Sequence, residues 1–552
     1  MATAGLLWRA VDLQLTHQTF LQHQGAARYL RVVSIPAHRG NMVDRNGEPL
    51  AISTPVQSVW ANPARLARER KRWPALTQLL GLEVDELHRL VAERMEREFV
   101  YLKRHVEPML AARVTRLGLD GVHLQREYRR YYPTGEVAAH VTGFTNVDDV
   151  GQEGLELAFE DWLRGVDGSK RVLRDRLGRT VEDVERIRAA RPGRDLVLSV
   201  DRRVQYLAYR ALKSAVRRHR ARSGSAVVLD ARTGEVLAMV NQPSYNPNNR
   251  AERVGRRYRN RAVTDVFEPG SAVKPFTIAS ALETGRFTPD TPVDTRPGLL
   301  KVGQHTVRDL RNYGVIDVAT VIQKSSNVGA SKIALAIPPK TLWRTFTRAG
   351  FGQPTGSGFP GESAGILTHF ADWSDIHRVT LSFGYGLSVT PLQLAQAYAA
   401  VANRGVLPSV TFQRVDAPVS ERRVLSERVS LAVRTMMENV VSVEGTGRRA
   451  AISGYRVAGK TGTARKSVDG GYAEDRYIAV FAGMAPASAP RLVAVVVVDE
   501  PRNGDYYGGV VAAPVFAEIM QGALRLLGVP PDAPDFGRSR VVLAETAGGR
   551  AP

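Results

Sequence analysis

Glu268-Pro269-Gly270-Ser271-Ala272-Val273-Lys274-Pro275 leads into an apolar, alanine-rich run, Phe276-Thr277-Ile278-Ala279-Ser280-Ala281-Leu282-Glu283, that closes at Gly285. A Pro-Gly break ahead and a glycine behind bound a helix. Ser271 sits at its N-terminal edge and Lys274 lies three residues on, so the two share a helical face and the ammonium can reach the hydroxyl. A serine hydroxyl is a poor nucleophile until a base takes its proton. Lysine serves as that base only where burial or a neighbouring cation lowers its pKa. The N–H groups and dipole of the helix N-terminus favour the negative charge that would develop there. An ordinary capping serine followed by a surface lysine has the same letters. Such a match arises by chance about 0.6 times in a chain of this composition.

Its meaning therefore rests on what accompanies it. Lys324-Ser325-Ser326-Asn327-Val328-Gly329 lies between two helical patterns, and Ser325 and Asn327 bracket one residue, so both side chains can face one cleft. A hydroxyl and an amide there could relay a proton and hold a substrate amide. Lys460-Thr461-Gly462-Thr463 is rarer, with about 0.06 chance occurrences of Lys-Thr-Gly expected. Period-2 alternation on a strand puts Lys460 and Gly462 on one face and Thr461 and Thr463 on the other. Gly462 is read as a place where a ligand approaches the backbone. The Thr463 N–H could supply half an oxyanion hole.

The surrounding chain sets the frame. At 552 residues it should hold at least two domains, and with 43% hydrophobic and 24% charged residues it is an ordinary globular composition. Cysteine is absent, which excludes disulfides and thiolate metal sites. The net charge of +21, mostly arginine and spread along the chain, invites a polyanionic partner such as anionic lipid or wall polymer. Clusters such as Arg217-Arg218-His219-Arg220 occur without any helix-turn-helix, zinc-finger or aromatic RNA-binding signature, so nucleic acid is not an expected partner. The N-terminus meets a charge by Arg9, and no stretch approaches the roughly 20 apolar residues of a membrane span.

Asn46-Gly47 between apolar runs marks a hairpin, residues 61–120 read as helical, and the polar segment Arg188–Arg194 reads as a boundary. The second region runs from strand, helix and hairpin at 196–240, through a largely helical stretch at 316–443, to strands at 455–464, 476–484 and 491–499 and a helix at 513–527. Strands at both ends with helices between predict one antiparallel sheet flanked by helices, an α+β design.

Two decoys fail on context. Gly454-Tyr455-Arg456-Val457-Ala458-Gly459-Lys460-Thr461 spells the phosphate-loop pattern, with Val495–Glu500 as a candidate Mg²⁺ strand, but the Gly/Asp-rich 462–471 cannot be the helix such a loop opens. Gly361-Glu362-Ser363-Ala364-Gly365 spells a nucleophile elbow without a preceding strand, and His369 and His377 follow it too closely.

Ser-x-x-Lys, Ser-x-Asn and Lys-Thr-Gly at 271, 325 and 460 form the set of penicillin-binding proteins and class A β-lactamases. With His38-Arg39-Gly40-Asn41-Met42-Val43-Asp44-Arg45-Asn46-Gly47, Arg130-Tyr131-Tyr132-Pro133, Glu268-Pro269-Gly270-Ser271 and Phe383-Gly384-Tyr385-Gly386, the chain resembles a class B penicillin-binding protein from about residue 1 to 527. It is similar in particular to the septal, division-specific D,D-transpeptidases of Gram-negative bacteria (the penicillin-binding protein 3 group). The resemblance implies a serine β-lactamase-like transpeptidase domain at 193–528 and an elongated mixed α+β pedestal of dimerisation type at 31–192. It also implies an anchor remnant at 1–30 and a flexible tail at 529–552.

The resemblance further implies roles. Ser271 would attack the penultimate D-Ala of a stem pentapeptide, Lys274 would be its base, Ser325 would relay protons, Asn327 would hold the donor peptide, and Lys460 would set the local potential. Thr461, Gly462 and Thr463 would bind substrate at the strand edge, and the N–H groups of Ser271 and Thr463 would form the oxyanion hole. Arg465, Tyr506 and Tyr507 would line the cleft. No metal or cofactor is implied. Expected partners are peptidoglycan stem peptides on lipid II-derived glycan strands, β-lactam antibiotics, and division-complex membrane proteins, among them a glycosyltransferase of the shape, elongation, division and sporulation type. Family members carry an N-terminal inner-membrane anchor with the catalytic domain in the periplasm. Here only its apparent tail, Leu6-Leu7-Trp8, is recognisable. A β-lactamase sharing the three motifs would need no N-terminal module of roughly 190 residues, and would need a way to activate water for deacylation.

Overall fold

The structure, a computed structural model, describes Trp8 and residues 30–174, 180–253, 255–468 and 471–533. Most of the expected anchor remnant and the tail beyond Ala533 lie outside the described residues.

The second half is built on a five-stranded sheet of β1 (Ser223–Asp230), β2 (Val236–Gln242), β3 (Ala458–Val468), β4 (Gly471–Ala485) and β5 (Leu492–Asp499), in the order β2-β1-β5-β4-β3. Every neighbouring pair is antiparallel. The strands from the two ends of the sequence meet where β1 pairs β5, as the α+β reading requires. Both faces are covered, which is why Val493-Ala494-Val495-Val496-Val497-Val498 is a continuous apolar run rather than an alternating one. Val493, Val495 and Val497 pack into one core, Ala494, Val496 and Val498 into the other.

The helices that cover them are α1 (Arg202–Arg218), α2 (Lys274–Glu283), α3 (Val318–Lys324), α4 (Asn327–Ala336), α5 (Pro391–Ala402), α6 (Glu427–Val441) and α7 (Ala513–Leu526). Asp201 caps α1, accepting from Arg203 N at 2.9 Å, and Arg217 and Arg218 complement its C-terminal dipole. α1 and α7 pack together on one face of the sheet. Gly508–Leu526 is long and apolar enough to cross a bilayer, yet half of its most apolar window is buried in this layer, as befits a core helix. On the other face α5, started by a Thr390–Gln393 capping box, is buried along its whole length and backs α2 and the sheet.

The N-terminal half centres on the long strand Pro49–Ala61, which pairs with Met42–Val43, Val100–Val106 and Val122–Tyr131. The Asn46-Gly47 turn joins the first two strands, with Gly47 at φ 87° and its N–H donating to Asp44 O. The helical reading of 61–120 holds for Trp73–Leu80, Val84–Ala92 and Pro108–Arg116 and fails at Val100–Val106, where Val100, Leu102 and Val106 face the core of a strand. Three polar motifs converge on one buried carboxylate. Glu156 accepts from Arg39 Nε at 2.8 Å, Arg130 Nε at 2.6 Å and Tyr132 OH at 3.3 Å, with all four side chains essentially inaccessible. A separate three-stranded sheet joins Leu30–Ile35, Gly168–Arg174 and Thr180–Arg188.

Arg188–Arg194, read from sequence as a boundary, is pinned rather than free. Gly193 N donates to His38 O, and Arg194 N to Trp162 O. The expected loose tail from 529 is held at its start, where Asp532 accepts from Arg456 N at 2.7 Å and Ser488 N at 3.0 Å. The phosphate-loop decoy runs into strand β3, and no helix opens there.

Candidate active site

Ser271 lies in a 3-10 turn, Gly270–Val273, that runs straight into α2 at Lys274. The turn is gripped from three sides. Gly270 N donates to Gly384 O at 3.1 Å, and a Cβ on Gly384 would fall 2.0 Å from Gly270 O. Tyr398 of α5 donates its buried hydroxyl to Ala272 O at 2.7 Å. Edge strand β3 presses on the third side. The glycine at 462 is required here by the protein itself, since a Cβ would sit 2.5 Å from Pro269 O and 3.4 Å from Ala272 Cβ. This corrects the reading of Gly462 as a point of ligand approach: it lets β3 close on the nucleophile turn.

The Ser-x-Asn turn joins α3 to α4. Ser325 is left-handed at φ 60°, with Ser325 N donating to Ile322 O and Ser326 N to Val321 O, so it closes α3 in the position glycine usually fills. Holding a serine there stores strain, a mark of a constrained site. Sequence reasoning missed the latch that holds it. Asp309, at the end of the Leu299–Val302/His305–Arg308 hairpin, accepts from Ser326 Oγ at 2.6 Å, Asn327 N at 2.5 Å and Val328 N at 3.0 Å. Ser326 turns away into this latch, leaving Ser325 and Asn327 to face the cleft. An Arg-Asp-Leu triplet carries no motif, and Ser326 already caps the helix by accepting from Gly329 N at 2.8 Å, so nothing local asks for a second cap.

Both lysines are fully buried. Lys274 Nζ donates to Ser325 O at 2.6 Å, Asn327 Oδ1 at 2.7 Å and Ser325 Oγ at 3.3 Å. The one-turn reach to the Ser271 hydroxyl, expected from helical spacing, is not among these contacts: in this state the amine is turned to the Ser-x-Asn turn. Lys460 Nζ donates to Ser325 Oγ at 2.9 Å and Thr461 O at 3.2 Å. Burial holds the Lys274 pKa well below its usual value, the nearby Lys460 ammonium lowers it further, and Asp309 opposes both. Burial alone brings Lys460 to about 7.

These elements enclose a cleft of about 940 Å³ lined by Ser271, Ser325, Asn327, Thr461, Thr463, Arg465 and Tyr507. The threonines face it and Lys460 and Gly462 do not, as alternation predicts. Thr461 Oγ1 lies 2.9 Å from Thr446 Oγ1, and Thr463 Oγ1 accepts from Gly508 N at 3.0 Å. Tyr506 is stacked between Tyr477 (ring centroids 4.1 Å apart) and Tyr507 (4.5 Å), and of the expected pair it is Tyr507 that lines the cleft, which corrects the place given to Tyr506. Arg308, Arg311, Lys324, Arg448 and Arg449 join Arg465 on the walls against Asp309 and Glu444, giving a cationic cleft suited to carboxylates. Among the described residues no group of three or more His, Asp or Glu is placed to hold a metal ion.

Residues 224–521 match the penicillin binding protein transpeptidase domain. The chain belongs to the penicillin-binding protein transpeptidase family. Residues 34–198 match the penicillin-binding protein dimerisation domain. It is 44% identical to the peptidoglycan D,D-transpeptidase FtsI of Escherichia coli K12 over 559 residues, covering 100% of this chain and 95% of that one. It is likewise 44% identical to the probable peptidoglycan D,D-transpeptidase PenA of Neisseria meningitidis Z2491, covering 96% and 92%. Among solved structures, the apo transpeptidase domain of Burkholderia pseudomallei penicillin-binding protein 3 is 46% identical, with a TM-score of 0.57 over 61% of this chain and 98% of that one. Penicillin-binding protein 3 of Mycobacterium tuberculosis in complex with aztreonam is 30% identical, with a TM-score of 0.70 over 91% and 99%.

Proposed function

We propose that this penicillin-binding protein is a peptidoglycan D,D-transpeptidase that cross-links stem peptides of the septal wall during division. The observation that carries the reading is the meeting of buried Lys274 and Lys460 on Ser325, which lines one cationic cleft with Asn327 and Ser271.

Ser271 Oγ attacks the carbonyl carbon of the penultimate D-Ala of a donor stem, and its proton passes to neutral Lys274 Nζ. Thr461, Thr463 and Arg465 hold the terminal carboxylate, and the N–H groups of Ser271 and Thr463 receive the oxyanion. Asn327 holds the donor amide. As the carbon–nitrogen bond breaks, the proton reaches the departing D-Ala amine through Lys274 and Ser325. An amine on a neighbouring stem then attacks the ester and surrenders its proton by the same route, and Ser271 regains its hydroxyl. A β-lactam acylates Ser271 likewise, but its opened ring stays attached and no leaving group departs.

The pedestal (31–192) presents the transpeptidase domain (193–528) to the wall, an N-terminal segment anchors the protein in the inner membrane, and the catalytic cleft works in the periplasm. A division-complex glycosyltransferase supplies the strands. What supports these finer points is the likeness to septal enzymes and the basic surface. Co-purification from solubilised membranes tests them, and a protein recovered wholly in the soluble fraction with no such partner would reject them.

The activity is tested by intact mass after incubation with benzylpenicillin, followed over hours beside Ser271→Ala. The expected result is a persistent single adduct on Ser271 that is missing in the variant. A rapidly vanishing adduct with drug consumption would mean a β-lactamase, and no adduct would reject acyl-serine chemistry.

A further inference from the structure

A second cavity, of about 500 Å³, lies apart from the catalytic groups, between the start of β1, the ends of β3 and β5, and the segment leading to Phe267. Its apolar lining comes from Val266, Phe267, Ile478, Val497, Pro243 and Pro391. Its wall carries Arg222, Arg256, Arg259, Arg261 and Lys466, against the carboxylates of Asp265 and Asp499. Glu500, just outside, pairs with Arg222 at 2.9 Å and Lys466 at 2.8 Å. Glu500 also takes Arg502 at 2.9 Å, so six cations face three carboxylates, a surplus of three positive charges.

The sharing is uneven. Lys466 also takes Asp499, at 2.7 Å, while Asp265 must serve Arg259 at 2.6 Å and Arg261 at 3.9 Å. The Arg261 side chain is only 13% exposed; its Nη2 donates to Arg256 O at 3.2 Å, and its Nη1 is buried without a hydrogen-bond partner. An unsatisfied buried guanidinium N–H is costly, and a forked guanidinium matches the oxygens of an oxyanion. Burial, reinforced by Arg259 and Arg222 and opposed by Asp265 and Asp499, pulls its pKa below the usual arginine value.

We infer that this cavity is a binding site for a phosphate-class polyanion, with diphosphate the best match in charge, seated on Arg261 with its remaining chain along the apolar lining. The chain itself joins the site to the catalytic machinery. Asp265-Val266-Phe267 continues into Glu268-Pro269-Gly270-Ser271, and Lys466 follows Arg465 on β3. A bound anion bridging Arg261 and Lys466 therefore ties together the two segments that meet at the nucleophile.

Isothermal titration of the full chain tests it, with sodium pyrophosphate, farnesyl diphosphate below its micelle concentration, and acetate as a monoanionic control. Pyrophosphate is expected to bind one to one, with Kd raised at least tenfold in Arg261→Gln. The exposed-residue double variant Arg222→Ala/Arg256→Ala, which guards against a folding defect in the first, is expected to weaken binding severalfold and still be acylated by benzylpenicillin. Tighter binding of farnesyl diphosphate assigns the ligand to a prenyl diphosphate headgroup, and equal binding to a free phosphate compound. Absence of one-to-one binding, acetate binding as tightly as pyrophosphate, or unchanged affinity in the variants would overturn the inference.

Discussion

Lys460 Nζ donates to Ser325 Oγ at 2.9 Å, across 135 residues of sequence, and both ends of that bond are placed by unrelated elements. The bond makes Ser325 the junction of the site, because Lys274 reaches the same residue from the other side at its carbonyl and hydroxyl. Two buried ammonium groups meeting at one serine cannot both hold a proton cheaply, and that conflict keeps an amine available as a base near neutral pH.

Lys460 is expected to cost stability. Its folded pKa of about 7 lies below the usual 10.5, so the unfolded chain binds more protons between those values and stability rises with pH across that window. The penalty is fully present below pH 7. Lys460→Met should raise unfolding free energy by on the order of a few kcal/mol at pH 6 and progressively less toward pH 10, read by denaturant melts, while acylation slows but stays measurable.

The acylation rate should climb with pH as Lys274 loses its proton. Removing the Lys460 cation should move that limb to higher pH, since it lowers the Lys274 pKa from nearby. The check is the pH profile of the second-order rate with benzylpenicillin in wild type and Lys460→Met; a limb that stays put would reject the coupling.

Asp309→Ala should release the Ser-x-Asn turn. Three hydrogen bonds to one carboxylate are lost, worth about 2–4 kcal/mol in stability, and acylation should slow by about tenfold or more as Ser325 and Asn327 drift. Thermal melts and stopped-flow acylation read the two effects separately.

Ser325 should respond differently to its two smallest replacements. Glycine tolerates the φ of 60° and alanine does not, so Ser325→Gly should be about 1 kcal/mol more stable than Ser325→Ala, with both equally impaired in acylation.

Gly462→Ala should push β3 away from the nucleophile turn, because its Cβ meets Pro269 O at 2.5 Å. A stability loss of about 1–3 kcal/mol and an acylation rate at least tenfold lower are expected. Wild-type acylation in this variant would show that the contact positions nothing.

In the N-terminal half, Glu156→Ala leaves Arg130 buried without its carboxylate and Arg39 with Glu160 alone, and should cost about 3–5 kcal/mol. The folded fraction should still be acylated at the normal rate, since the network lies away from the cleft.

What the sequence by itself determined is local. The helix after Pro269-Gly270, the Asn46-Gly47 hairpin, the valine-rich strand ending at Asp499 and the alternation that turns Thr461 and Thr463 to the cleft follow from φ preferences and side-chain periodicity, which act over a few residues. The three motifs were legible for the same reason. Only the tertiary structure decided that Lys274 and Lys460 share Ser325, that Asp309 latches the turn between them, that Tyr507 rather than Tyr506 lines the cleft, and that Gly462 is needed by Pro269 rather than by a ligand. Each of these depends on burial or on contact between segments far apart in the chain, and a pKa, a clash or a latch exists only once the sheet and helices have closed around it.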